Sequence, residues 1–260
     1  MDIQVAVIGG TGFESALTER FGAPDETRRV ETDFGSADIN LFSTEFGQTA
    51  FLPRHGIGHT VAPHEINHKA NIRALAQLGA RLILSTSAVG SLKLTIEPGD
   101  IVVPDDFIDL RGGAPTTLFD HGKVVHTDFT TPFDCRGRDC LLRCAEDLTA
   151  DFGLPASIIH PAGVYVCVSG PRYETPAEVR CYASWGGDIV GMTVAAEAIL
   201  AREQGLRYAS ISIATNFGTG LAPAPLSHRD VEQMMAERRP LVSSIVAGAA
   251  GLFAGGTEVK

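Results

Sequence analysis

Four short polar segments close apolar runs in this chain, and each carries groups suited to a tetrahedral oxyanion. Gly9, Gly10, Thr11 and Gly12 follow the first apolar run, a tight glycine turn that brings backbone amides and the Thr11 hydroxyl to one place. Arg54 and His55 open the segment RHGIGH directly after Phe51, Leu52 and Pro53. STSAVGS, residues 85–91, ends another apolar strand, and Gly191, Met192 and Thr193 stand where a strand is expected to give way to a helix. Together they supply a guanidinium, imidazoles, hydroxyls and amides at a helix N-terminus. Singly, each has an ordinary explanation as a surface pair, a loop or a hydroxyl-rich strand end. Their recurrence in a chain of net charge −10, whose overall field repels anions, points to a built phosphate site.

Three other patterns invite different chemistry and fail on spacing. His64, Glu65 and His68 match HExxH, the helical zinc-hydrolase motif. Pro63 starts a helix there, which puts the histidines in a first turn at the solvent or a site edge, and no third ligand follows. Gly10-Thr11-Gly12 resembles a dinucleotide fingerprint, but Ser15 occupies the third glycine position and no acidic residue closes a second strand at the right distance. Cys135, Cys140, Cys144, Cys167 and Cys181 form no CxxC pair and are odd in number, so buried free thiols are expected rather than a metal site or a disulfide framework.

The elements that must position these groups alternate short β-rich runs with longer helical patterns. Strands are expected at 3–8, before Pro53, and at 81–87, 100–104, 163–168, 188–192 and 208–215. Helices are expected at 67–78, 141–152, 176–185, 195–204 and 228–247, the last bent at Pro240. This alternation predicts an α/β fold, one domain over residues 1–260, with a mixed or mostly parallel sheet flanked by helices. In such sheets ligands gather where strands end and helices begin. Hydrophobic residues at 44% and charged residues at 20% are ordinary for a globular protein. The acidic balance excludes nucleic acid as a partner. The N-terminal apolar run of about six residues is too short for a signal peptide or membrane span, so a cytoplasmic protein is expected, with no membrane partner.

The strings VIGGTGF, RHG..H...P..IN.KANI.AL, S.VGSL...I.PGDIV.P.DFIDL, GPRYETPAE and VGMT...E..LARE.G occur in order over essentially the whole chain. By them the chain resembles the trimeric purine nucleoside phosphorylase and methylthioadenosine phosphorylase family. The resemblance implies a distorted, barrel-like mixed sheet and a homotrimer or a hexamer built as a dimer of trimers. It implies inorganic phosphate as co-substrate, a purine nucleoside as partner, and neither cofactor nor metal. Carried over by residue, the phosphate site falls on Thr11, Arg54, His55, Ser87, the Ala88 amide and Thr193. The substrate site falls on Met192 beneath the ribose, on Tyr173 and Glu174 of GPRYE, on Asn216, Phe217 and Gly218, on His228, and on His126, which reaches a neighbouring subunit's sugar pocket. His55, Glu174 and Asn216 are the expected catalytic residues.

Within the family, the N-terminal half is more similar to the methylthioadenosine branch, whereas Glu174 and Asn216 match the 6-oxopurine enzymes. Hypoxanthine and guanine present an N1–H donor and an O6 acceptor, which a carboxylate and an amide satisfy; adenine reverses both. Each unpaired buried polar group costs about 1–3 kcal/mol, so two reversed contacts discriminate a few hundredfold or more. PLSHRDV places His228 at the first helical position, where the resemblance has it meet a 5′-hydroxyl. Inosine and guanosine are therefore the expected substrates. 5′-Methylthioinosine or 5′-methylthioadenosine phosphorolysis is the alternative, and a nucleoside hydrolase or a noncatalytic nucleoside-binding protein is the alternative of a different class.

Overall fold

A computed structural model describes residues 3–10, 13–58, 60–113, 116–119, 122–222 and 228–256, with backbone only at Glu14 and His228. The chain opens with β1 (Val5–Gly9), buried along its whole length. Its alternate residues feed two different cores. Ala6 and Ile8 pack with Ile72, Leu75, Val194 and Leu200 on one face. Val5 and Val7 pack with Phe51, Leu84, Leu241 and Ile245 on the other. A strand covered on both faces has no polar side to show, which is why it reads as a continuous apolar run.

After β1 come α1 (Phe13–Phe21), an antiparallel meander of β2 (Glu26–Thr32), β3 (Gly35–Thr44) and β4 (Gly47–Pro53), and then α2 (His68–Gln77). The long β5 (Leu82–Ser91) leads to the short β6 (Ile101–Val102) and β7 (Asp106–Asp109). The second half runs α3 (Cys135–Thr149), β8 (Ile159–His160), β9 (Val164–Cys167), α4 (Pro176–Ser184), β10 (Ile189–Gly191), α5 (Val194–Glu203), β11 (Arg207–Phe217) and α6 (His228–Ala254). Local chemistry sets several starts. Asn67 caps α2 by accepting from the Ala70 amide. Thr175 and Glu178 form a reciprocal capping box on α4, with Pro176 at its first position.

The eleven strands among the described residues join one mixed sheet. It is organised around β5, which has three partners. On one edge β11 runs parallel to it over its full length. The other edge is shared: β1 pairs with Leu82 to Ser85, and β10 pairs antiparallel with Gly90 and Ser91. Between those stretches, residues 86–89 have no strand partner on that edge among the described residues. Two arms of the sheet, β1-β4-β3-β2 and β10-β9-β7, thus diverge from one edge of a single strand. The opening between them is a topological switch point, the place where open α/β sheets bind ligands.

The α/β class, the mixed sheet and most element positions agree with expectation. The differences are instructive. β2, β3 and α1 were not expected, because β2 (ETRRVET) lies at an exposed edge and alternates charge rather than hydrophobicity. α3 begins six residues before position 141, capped by Asp134. α6 runs on through Pro240 to Ala254. Of the cysteines, Cys140, Cys144 and Cys167 are buried free thiols, but Cys135 is exposed and Cys181 half-buried. The HExxH match is not one helix: His64 and Glu65 lie in a separate 3-10 turn, Ile66 is extended, and His68 begins α2. His64 is exposed, as expected. His68 is not; it is turned inward, towards Glu197.

Candidate active site

A cavity of about 600 Å³ fills the opening beside residues 86–89. Arg54 reaches it from the end of β4, held by the parallel register that pairs Pro53 with Gly9 and by the Arg54 amide donating to the Gly9 carbonyl at 3.0 Å. Its guanidinium is buried, at 3% exposure. Nε and Nη2 donate to the two carboxylate oxygens of Glu197 on α5, and Nη1 donates to the Thr86 carbonyl at 2.9 Å, a backbone acceptor on the unpaired edge of β5. A guanidinium has five N–H donors, so this clamp uses three and fixes the plane of the group. Nη1 also faces Gly10 on the cavity wall: a Cβ added there would stand 3.3 Å from it. Glu197 holds Arg54 well within the charged range against the strong penalty of burial, and Arg54 does the same for Glu197.

Around this guanidinium stand the other oxyanion groups. Ser87 and Ala88 follow Thr86 on β5, and the Ser87 hydroxyl lies 2.9 Å from that of Ser212 on β11. Thr193 is the N-cap of α5 but makes no side-chain capping bond, so the cavity receives the N-terminus of a ten-residue helix. His55 lines the cavity with Nδ1 2.8 Å from the Val61 carbonyl. That carbonyl fixes Nδ1 as the protonated nitrogen in the neutral ring.

Tyr173, Glu174, Met192 and Asn216 also line the cavity. Burial raises the Glu174 carboxyl above its ordinary value. The neighbouring Arg172 offsets this little, because its guanidinium grips Glu178 in a two-pronged ion pair, Nη1 to Oε2 at 2.8 Å and Nη2 to Oε1 at 2.7 Å. Met192 lies against Gly170, whose φ of +66° favours glycine, and a Cβ at 170 would overlap the Met192 thioether. Asn216 is aimed by an irregularity in β11: the register with β5 slips between Ala214 and Asn216, leaving Thr215 as an extra residue. The Asn216 Nδ2 donates to the Phe217 carbonyl at 2.9 Å, and Oδ1 accepts from the Thr215 hydroxyl at 2.8 Å. One Nδ2 hydrogen remains for the cavity.

The fold therefore gathers nine of the sequence-expected residues, Arg54, His55, Ser87, Ala88, Tyr173, Glu174, Met192, Thr193 and Asn216, around one space. Phe217 and Gly218 line an adjoining cavity of about 580 Å³ beyond the end of β11, with Pro98, Pro176 and Met234. His126 is exposed on a segment away from both cavities. Thr11 lies outside the described residues; His228 starts α6 as expected, with its side chain outside the description. Sequence reasoning gave no role to Glu197, although it sits in the quoted VGMT...E string. The signal was a lone acidic residue within the apolar stretch VAAEAILA of α5, and a buried carboxylate requires a cation. It also missed Val231 and Met235, which line the cavity from α6.

The Phosphorylase superfamily model matches residues 4–250. The chain belongs to this superfamily. It is 43% identical over 247 residues to a probable 6-oxopurine nucleoside phosphorylase of Dictyoglomus turgidum, covering 94% of this chain and 90% of that one. It is 41% identical to a probable S-methyl-5′-thioinosine phosphorylase of Methanothermobacter thermautotrophicus, covering 94% of this chain and 82% of the relative. Among solved structures it superposes on a mutant adenosine/methylthioadenosine phosphorylase of Schistosoma mansoni in complex with adenine, with a TM-score of 0.89 at 32% identity, covering 99% of this chain and 93% of that one. Among the described residues no helix is long and apolar enough to cross a membrane.

Proposed function

We propose that the protein is a purine nucleoside phosphorylase that cleaves inosine and guanosine with inorganic phosphate, giving free base and ribose 1-phosphate. The observation that carries this reading is that one cavity gathers a clamped guanidinium with hydroxyls and, on the same lining, a half-buried carboxylate and an amide with a free hydrogen. A superfamily phosphorylase needs both an oxyanion site and a base site, and the base groups distinguish purines. Glu174 accepts from N1–H of a 6-oxopurine and repels the N1 lone pair of adenine. The remaining Asn216 hydrogen donates to O6 or N7.

As the glycosidic bond breaks, the sugar becomes cationic and negative charge spreads over the purine. Asn216 stabilises that charge and Glu174 orients the base. Phosphate held by Arg54, Ser87, the Ala88 amide and Thr193, with Thr11 and His55 completing the set, attacks C1′ from the opposite face, and its charge stabilises the cationic sugar. Positioning and fixed dipoles supply the rate enhancement, with no cofactor required. Met192 packs under the ribose. Tyr173 shapes the base pocket, Phe217 and Gly218 bound it from the adjoining cavity that shares Asn216, and His126 serves a neighbouring protomer in a trimer or a dimer of trimers. The setting is cytoplasmic purine salvage.

A second reading has its own support. Val231 and Met235 sit three and seven residues beyond His228 on α6, and both line the cavity. They offer apolar surface suited to a 5′-methylthio group, and one relative bears the name of a methylthioinosine enzyme. The deciding experiment compares kcat/KM for phosphate-dependent base release from inosine, guanosine, adenosine, methylthioinosine and methylthioadenosine. Preference for inosine and guanosine supports the first reading. Preference for methylthioinosine keeps the base assignment and replaces His228 by Val231 and Met235 as the sugar-reading groups. Preference for methylthioadenosine overturns the roles of Glu174 and Asn216, and base release without phosphate overturns phosphorolysis.

A further inference from the structure

Behind the oxyanion groups lies a buried network with one member that the proposed chemistry leaves unused. Glu197 is 2% exposed, clamps Arg54, and accepts the Tyr208 hydroxyl at 2.8 Å. Tyr208 in turn lies 2.6 Å from the Ser85 hydroxyl. The charges of Arg54 and Glu197 cancel. His68, at the start of α2, aims at this pair with its side chain 13% exposed. Its Nδ1 stands 3.9 Å from Glu197 Oε1 and has no hydrogen-bond partner. His68 does not line the cavity. Position 68 is also one that the motif IN.KANI leaves open, so the residue belongs to this chain's own sequence rather than to the resemblance.

A buried imidazole nitrogen that neither donates nor accepts is costly and calls for an explanation, which a second state that satisfies it would supply. Here the second state is legible. Burial holds the His68 ring neutral, with its pKa down at about 4; Glu197 favours the charged form, while Arg54, Arg111 and His55 oppose it. Among the described residues, these four groups act on it from α5, from the end of β4 and from the segment after β7. The charged residues of β2 and β3, which α2 also covers, pair with one another, Arg28 with Glu26 and Arg29 with Glu31 and Asp38. A divalent oxyanion arriving at Arg54 would leave the network with a net charge of −2 in a poorly solvated place. Uncompensated buried charge is resisted strongly, and titration of a nearby group is the usual relief. A proton on His68 would halve the excess, and its Nδ1–H would then have Glu197 Oε1 as acceptor after a small closure.

We infer that binding of an inorganic oxyanion at Arg54 draws a proton onto His68, which then hydrogen-bonds Glu197 and braces the Arg54 clamp from behind. His68 is thus a positioning residue for phosphate, acting through Glu197. The inference rests on the phosphate-site reading above.

Sulfate is the probe, because unlike phosphate it does not itself titrate near neutrality. Its Kd is measured on the full chain between pH 5 and 7, for wild type and His68→Gln. The proton is taken up between the free-state value of about 4 and the higher bound-state value, so wild-type Kd should weaken as pH rises, approaching about tenfold per pH unit in that window. The His68→Gln profile should be markedly flatter. In parallel, the His68 Cε1 resonance of the wild type should move towards its imidazolium position when sulfate is added at pH 5.5, a readout independent of whether the variant folds. Sulfate binding with equal slopes in both proteins, or an unmoved His68 resonance in saturated wild type, overturns the inference and leaves the phosphate site standing. No saturable sulfate binding to wild type overturns the phosphate-site reading itself and the inference with it.

Discussion

Replacing Asn216 by Asp tests the base site with the smallest change of shape. The amide is fixed by two neighbours, Nδ2 donating to the Phe217 carbonyl at 2.9 Å and Oδ1 accepting from the Thr215 hydroxyl at 2.8 Å. In Asn216→Asp an oxygen replaces Nδ2 and faces that carbonyl, acceptor against acceptor, and the site also loses its donor to O6 or N7 of the departing purine. Loss of one preorganised donor to a developing negative charge costs about 2.7–4 kcal/mol, or about 10²–10³ in turnover. The internal mismatch adds about 1–3 kcal/mol unless the new carboxyl protonates and donates instead. kcat/KM for inosine should therefore fall by about 10²–10³, with the KM for phosphate within about threefold, since Asn216 lies apart from the Arg54 clamp. The adenosine-to-inosine preference should rise, because an acceptor at 216 suits the N6 amino group. The assay is steady-state base release from both nucleosides at saturating phosphate. Inosine cleavage within about threefold of wild type would refute the assigned role of Asn216 in stabilising the purine charge.

Two further outcomes follow from neighbouring geometry. Burial raises the Glu174 carboxyl, and the ionised form is the one that accepts N1–H, so inosine kcat/KM should decline as pH falls through that raised value. Glu174→Gln should lower kcat/KM by about ten- to a hundredfold and remove that acid limb at constant phosphate dianion; a limb of unchanged midpoint in the variant assigns it to another group. Gly191 leaves room for the buried Tyr165 ring, since a Cβ at 191 would come within 2.7 Å of Tyr165 Cζ and 3.2 Å of Val89 Cγ1. Gly191→Ala should lower the melting temperature by about 3–10 °C through overpacking, with partial recovery in combination with Tyr165→Phe; an unchanged transition would show that the strand shifts without cost.

Much of the site was legible in the chain alone, because strand ends and helix starts are local events. Arg54 and His55 follow an apolar run, Thr193 precedes an amphiphile-poor helix, and a strand or helix boundary is marked by a change of residue type within a few positions. The base-reading pair Glu174 and Asn216 was reached through resemblance, and its chemistry by matching donors to acceptors. What the sequence could not supply was anything set by the meeting of distant segments. The partnership of Arg54 with Glu197, 143 residues apart, turns an oxyanion-binding guanidinium into a clamped one with three of its donors already committed. The bulge at Thr215 is a register slip against β5, and a register exists only between two strands. His68, expected in a first turn at the solvent or a site edge, is turned towards Glu197 on α5, a partner 129 residues away that no local pattern announces. Periodicity and end signals along one chain determined which elements form and which polar groups stand at their ends; only the sharing of one β5 edge by β1 and β10, a long-range pairing decision, opened the gap that brings those groups to a common space.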